Sequence, residues 1–246
     1  GTMEEDERVT ANVTDEDGVP DSIIYQWHRD YEAISGATSI DYVLTQLDVG
    51  HLIGVTVNYT DEEGSGEIVG IQRNELVENV NDPPQILQVG SVTLLSENSP
   101  LVISVPENTI NVGSVIISDE DVGDAHTYSI SGGGDQALFE FDPFQANLLL
   151  FKKAPDFETD SHDPTYNITI QVKDLAGLED TLLLTVKVID VNEPPTDIML
   201  SSVTVNELSP VPTIFGDISV VDDAFSTVSF SLEDGSLFEI NDINQL

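Results

Sequence analysis

The chain has 246 residues, enough for two or three domains of ordinary size, and 39% of them are apolar, in runs far too short to cross a bilayer. It carries 46 acidic residues against 7 basic ones, a formal charge of −39, which repels phosphate and excludes nucleic acid as a partner. The absence of cysteine excludes disulfides and thiolate metal sites, and leaves bound ions as the substitute staple for an extracellular β protein.

Residues 1–6 (Gly-Thr-Met-Glu-Glu-Asp) have no basic segment followed by an apolar one, so no secretion signal is expected in them, and Gly1-Thr2 reads as a cloning remnant. Next comes an acid-x-acid group, Thr14-Asp15-Glu16-Asp17-Gly18, and then strand-like runs around Trp27 and up to Tyr59-Thr60-Asp61. The first segment ends in Asn81-Asp82-Pro83-Pro84, and this tetrad returns as Asn192-Glu193-Pro194-Pro195 about 110 residues later. Three units follow from that period: 1–82, 83–193 and 194–246.

In the second unit an acid-x-acid group recurs at Ser118-Asp119-Glu120-Asp121. Ile168, Ile170 and Val172 alternate with polar residues up to Asp174, and Leu182, Leu184, Val186 and Val188 share one face of the next strand. The third unit offers strands at Val203–Glu207, Ile218–Val221 and Val228–Leu232 and a looser acid pair, Asp222-Asp223. It then stops, so half a repeat is expected there, completed by residues after Leu246 or by another chain. Period-two runs punctuated by Gly, Asp, Asn and Pro, without helical spacing, predict an all-β chain of tandem Greek-key β-sandwiches.

Grouped carboxylates repel unless a cation lies among them, and an all-oxygen donor set points to calcium. Other chemistry is thinly represented. His28, His51, His126 and His162 share no metal-ligand spacing and are expected to be solvated or packed. Ser131-Gly-Gly-Gly-Asp135 reads as a hairpin loop, since no strand-to-helix context makes it a phosphate cradle. No nucleophile motif or oxyanion turn groups Ser, His and Asp, which argues against an enzyme. Among Tyr25, Trp27, Tyr31 and Tyr42, Trp27 is expected in the core and Tyr31, beside a turn, on the surface.

Residues 105–195 resemble a cadherin repeat through five motifs in order: Val-Pro-Glu-Asn-Thr at 105–109, Ser-Asp-Glu-Asp at 118–121, Pro-Asp-Phe-Glu-Thr at 155–159, Val-Lys-Asp-Leu-Ala-Gly at 172–177 and Asp-Val-Asn-Glu-Pro-Pro at 190–195. The resemblance implies calcium held by the base of one repeat and the top of the next. Its base set is Glu107, Asp156, Glu158, Asp190, Asn192 and Glu193, and its top set is Asp119, Asp121 and Asp174. The incoming linker supplies Asn81 and Asp82, with Asn79 where the motif has Asp. Asp222 and Asp223 stand for the top set of the third unit, adjacent rather than alternate.

Residues 9–82 resemble a bacterial immunoglobulin-like repeat of large surface adhesins, through Tyr-Gln-Trp-His-Arg-Asp at 25–30, Ile-Ser-Gly-Ala-Thr at 34–38 and Val-Asn-Tyr-Thr-Asp-Glu-Glu-Gly at 57–64. Asp15, Asp17 and Asp61 repeat the top constellation there, and Glu4, Glu5 and Asp48 are candidates for its base. The expected function is a calcium-stiffened adhesion or extender segment at the cell surface, with neighbouring repeats as partners, possible contact with a surface glycan or protein, and no membrane insertion. The alternative is a calcium-dependent carbohydrate-binding module.

Overall fold

The structure is a computed structural model describing residues 1–15, 18, 22–60, 64, 66–95, 100–159, 164–202, 204, 206–210, 213–214, 216–222, 227–233 and 239–240. The described backbone is almost entirely strand and turn. Its contacts divide it into two compact units. One comprises Gly1–Gln85 with Ile117–Thr127 and Val172–Asp180, and the other comprises Ile86–Ile116, Tyr128–Gln171 and Thr181–Leu246.

Strands β1 (Arg8–Thr10), β2 (Ile24–Arg29), β3 (Glu32–Ala33), β4 (Asp41–Val43), β5 (Leu52–Thr60) and β6 (Gly66–Leu76) belong to the first unit. They form a two-stranded sheet, β1-β4, and a four-stranded one, β3-β2-β5-β6. Alternation dictates the core: Ile53, Val55, Val57 and Tyr59 of β5 point inward and are buried with Trp27, Leu44 and Val77. Trp27 stacks on Tyr42 with ring centroids 5.7 Å apart, and its indole N–H donates to the Ser39 carbonyl at 2.9 Å. The buried ring thus keeps a partner for its one polar atom. Asp30 and Tyr31 have φ of 49° and 73°, the backbone of a two-residue hairpin turn between β2 and β3, and Tyr31 is 74% exposed.

Strands β7 (Gln85–Val89), β8 (Val92–Thr93), β9 (Leu101–Pro106), β10 (Asn111–Ser118), β11 (Thr127–Gly132), β12 (Phe139–Phe141), β13 (Leu148–Phe151), β14 (Thr165–Lys173) and β15 (Glu179–Ile189) follow. They form a five-stranded sheet ordered β12-β13-β10-β7-β8 and a four-stranded sheet ordered β11-β14-β15-β9. Non-consecutive neighbours such as β10 and β13 mark crossovers from sheet to sheet, as in a Greek key. β9 runs parallel to β15, with six paired positions from Leu184–Leu101 to Ile189–Pro106. Leu149, Ile168, Ile170, Leu184 and Val186 are almost wholly buried, and Phe139 packs against Phe151 and edge-on to Tyr166 at 4.4 and 6.0 Å.

Two expectations need correction. The loop at 131–135 is no hairpin, because β11 pairs in one sheet and β12 in the other. A Cβ on Gly133, which has φ of 97°, would lie 2.3 Å from the Asn167 carbonyl oxygen, so the crossover hugs β14 as only glycine allows. Val228–Leu232 forms no ladder among the described residues, and Val203 and Val205 of the first strand expected in that unit lie outside them. The last region contains one two-stranded sheet among the described residues, β16 (Asp197–Leu200) with β17 (Ile218–Val221), and Ile198, Met199 and Val221 on it are exposed. No apolar side chain after Val188 is buried among the described residues.

The Phe139 cluster yields a stability test. Phe139→Ala removes the centre of the Phe151 and Tyr166 contacts and is expected to lower unfolding stability by about 3–5 kcal/mol, read from urea denaturation followed by near-ultraviolet circular dichroism.

Candidate metal centres

Two groups of three carboxylates stand out, each with one oxygen per residue lying within 4.8 Å of the others. These are Glu107, Glu158 and Asp190, and Glu5, Asp82 and Glu120. None of the six enters an ion pair formed among the described residues.

Glu107 anchors the first group. It follows β9, is only 3% exposed, and accepts hydrogen bonds from the Phe157 N–H at 2.7 Å and the Val191 N–H at 2.8 Å. The Glu107 N–H donates to the Ile189 carbonyl, and Asn108, at φ 58°, turns the chain so that its N–H reaches the Pro155 carbonyl. Three separate stretches of sequence are thereby tied around one carboxylate. Burial raises the Glu158 carboxyl above its ordinary pKa, and the charges of Glu107, Asp190 and Glu193 add to that shift. Asp156, two residues earlier, is shifted down, because the Thr159 side chain and N–H bond to it. Asn108 also bonds to Glu193 through its side-chain amide, while exposed Asn192 donates to the Glu193 carbonyl.

Glu5 anchors the second group in the same manner. It is 3% exposed, its N–H donates to the Glu78 carbonyl, and its carboxylate accepts from the Val80 N–H at 3.4 Å. Asp6, at φ 62°, sends its N–H to the Leu44 carbonyl, so Met3–Asp6 repeats the bonding of Val105–Asn108. The match places Thr45 and Leu47 where the other centre has Asp156 and Glu158, and Asn79 where it has Asp190. Three carboxylates are missing by this correspondence. Burial raises the Glu5 carboxyl despite the Val80 hydrogen bond, and Asp82, Asp6 and Asp121 add to the shift. Asp82 is raised by burial and then by Glu120 and Asp121.

Around this second group, Asp121 accepts from the Asp82 N–H at 2.7 Å and from the Asn79 amide, and its own N–H donates to Asp119 at 2.9 Å. Asp174, at the end of β14, accepts from the Asn81 amide at 2.7 Å and the Leu178 N–H at 2.8 Å. Those bonds, with the Gly177 N–H, overcome burial and keep its pKa low.

The sequence reading missed several members. Glu120 joins Glu5 and Asp82, although the motif pointed to its two neighbours. His126 is packed, as expected, but its Nε2 also lies 2.6 Å from Asp119 Oδ2, and the two form a third close group with Asp124. Asp48, a base candidate, is wholly buried and consumed by Arg29 at 2.7 Å, the Tyr42 hydroxyl at 2.8 Å and both the N–H and hydroxyl of Thr45. Asp15 accepts from the Tyr59 hydroxyl and, like Asp222, belongs to none of these three groups. Asp17, Asp61, Asp223 and His162 lie outside the described residues.

No protein-family profile matches the chain. Human protocadherin Fat 4 is 30% identical over 160 residues, covering 62% of this chain and 3% of that protein. Human protocadherin beta-1 is 35% identical over 144 residues, covering 56% of this chain and 16% of that protein. The chain contains a cadherin repeat. It spans a small fraction of the length of these curated relatives. Among solved structures, human CDH23 EC21-23 aligns with a TM-score of 0.46 and 15% identity, covering 81% of this chain and 69% of that one. The repetition of the hydrogen bonding around Glu107 makes Glu5 its equivalent position in the first unit.

The opposed shifts of two neighbouring acids can be resolved residue by residue. In chelator, carboxyl-carbon NMR is expected to give Glu158 a titration midpoint above that of an ordinary glutamate, and Asp156 one below that of an ordinary aspartate. Through linkage, Asp156 contributes stability present above its unfolded pKa and lost as pH falls through its lowered folded value, while Glu158 opposes folding above its raised value. Midpoints in the reverse order would show that the loop is arranged differently.

Proposed function

We propose that the chain is a calcium-binding segment of an extracellular adhesion protein, non-enzymatic and built from units 1–82, 83–193 and a partial 194–246. In this reading calcium at the ends of the middle unit stiffens its connections to its neighbours, and so projects a distal binding region. One observation carries the proposal: Glu107 is buried, fixed by two backbone N–H groups, and grouped with two further carboxylates that, among the described residues, have no paired basic side chain.

The donor set suits the ion. Carboxylate oxygens from Glu107, Glu158 and Asp190, with Asp156, Asn192 and Glu193 near them in sequence, offer the six to eight oxygen ligands that calcium takes. When bound, the ion supplies positive charge that cancels the repulsion among these groups. Backbone donors from the 155–159 loop and the linker hold Glu107 in place beforehand, so little ordering remains to be done on binding.

The two centres differ in strength under this proposal. At the Glu5 centre, Thr45, Leu47 and Asn79 replace three carboxylates, which lowers its charge and therefore its calcium affinity. Asp119, Asp121 and Asp174 remain to serve it. Even with about three ions at each end of the middle unit, calcium would offset only about twelve charges, so most of the −39 belongs to a solvated surface suited to saline surroundings. A bacterial source rests on the resemblance of residues 9–82 alone, and the curated relatives named above are human.

Calcium titration by calorimetry is expected to resolve two classes of site, the tighter near or below the 10⁻⁴–10⁻³ M typical of extracellular modules. Glu107→Gln should abolish the tighter class and spare the weaker, with Glu5→Gln doing the reverse. Calcium well above its dissociation constant should raise unfolding stability by about 1–3 kcal/mol. Small-angle scattering tests the mechanical part: equal maximum dimensions in calcium and in chelator would dismiss stiffening while leaving binding intact.

A further inference from the structure

We propose that the outward face of the sheet β3-β2-β5-β6 holds a binding site for a neutral hexose, and that this site works without calcium. Cross-strand register sets out the face. His28 pairs with Gly54 and Gly54 with Gln72 in one row, and Gln26, Thr56 and Gly70 form the next. Gly70, on the edge strand β6, leaves out a side chain there, while the Gln72 side chain lies over Gly54, and a trough of about 330 Å³ remains between them. That size is at the lower end of the range for small-molecule sites, roughly 300–1,000 Å³. His28, Thr56 and Gln72 line the trough, together with the Tyr31 ring.

The polar lining is incomplete as it stands. His28 Nδ1 and Gln72 Nε2 are buried and have no hydrogen-bond partner among the described residues, an unusual state for two neighbouring groups in one face. His28 Nε2 is engaged at 3.0 Å by the Thr56 hydroxyl, which can donate or accept, so Nδ1 is left needing either an acceptor or a donor. A sugar hydroxyl can serve as both, and an adjacent hydroxyl can accept from Gln72. Tyr31 completes the chemistry, since its largely exposed ring sits on a tight turn with fixed backbone and can cover the C–H face of a pyranose.

Charge narrows the ligand class. A surface with a net charge of −39 disfavours uronic and sialic acids, which points to neutral sugars. Among the described residues no acidic side chain lines the trough, so a calcium bridge to the sugar has no ligands here, and the site is independent of the carboxylate centres.

The test is an NMR titration of the whole chain with D-glucose, D-galactose and D-mannose, each to about 100 mM, well above the range of millimolar ligands. It is run in calcium and in EDTA. Saturable shifts at Tyr31, His28 and Gln72 are expected with at least one sugar and with equal affinity in both buffers. Tyr31→Ala should weaken binding by about tenfold. Gly70→Val places a Cβ 3.5 Å from the Thr56 hydroxyl and 3.8 Å from the Val55 carbonyl, ordinary contacts, so it should fill the trough and abolish binding without lowering the unfolding midpoint. Absence of saturable shifts with all three sugars, binding that survives Gly70→Val, or binding lost in EDTA would overturn the proposal.

Discussion

Carboxylates gathered within 4.8 Å of one another at the end of a β-sandwich are a standing electrostatic cost, and much of the local architecture serves to hold them there. Glu107 shows how. Its N–H is tied to the end of β15, its oxygens are held by the 155–159 loop and the linker, and the left-handed Asn108 redirects the chain immediately afterwards. Remove the carboxylate and three segments lose a common partner. The same knot recurs at Glu5, so the arrangement is a structural unit in its own right, independent of the side chains that later fill the ligand positions.

Much of the fold was legible because alternation is a local property. Ile168, Ile170 and Val172 are buried as their spacing required, and Trp27 occupies the core with its one polar atom satisfied. The segment 131–135 misleads, because pairing partners are not local: nothing in Ser-Gly-Gly-Gly-Asp tells a hairpin from a crossover, and the distinction lies in Gly133 pressing against Asn167. The same limit applied to the acidic groups. Motifs name Glu107, Glu158 and Asp190, which the fold brings together, whereas Glu5 stands in the sequence only as one of three base candidates, and the hydrogen-bond pattern of Met3–Asp6 singles it out from Glu4 and Asp48. Asp48 looked like a ligand until Arg29, Tyr42 and Thr45 proved to surround it. A short signal did exist for Glu5, namely a glutamate followed by Asp or Asn in an otherwise strand-like run, as in Glu107-Asn108.

The two faces of the sheet β3-β2-β5-β6 illustrate a division of labour. The inward face follows the rule of large apolar side chains at every second position, from Ile53 to Tyr59. The outward face departs from it at Gly70, where a strand former would meet only ordinary contacts, whereas Gly54 sits beside a register shift where a Cβ would press on the Ile71 carbonyl. Local departures of this kind are where sequence preference and structure disagree, and they mark places retained for something other than folding.

The parallel pairing of β9 with β15 bears on how the cadherin repeat would carry load. The chain passes through β9 early in the repeat and leaves it along β15, and the two strands point the same way. A pull that reaches the start of β9, beyond β7 and β8, and the end of β15 drags these two strands past each other lengthwise, so that the ladder bonds between Leu101–Pro106 and Leu184–Ile189 share the force at once and do not peel apart one by one. Such a clamp gives a tether its tensile strength.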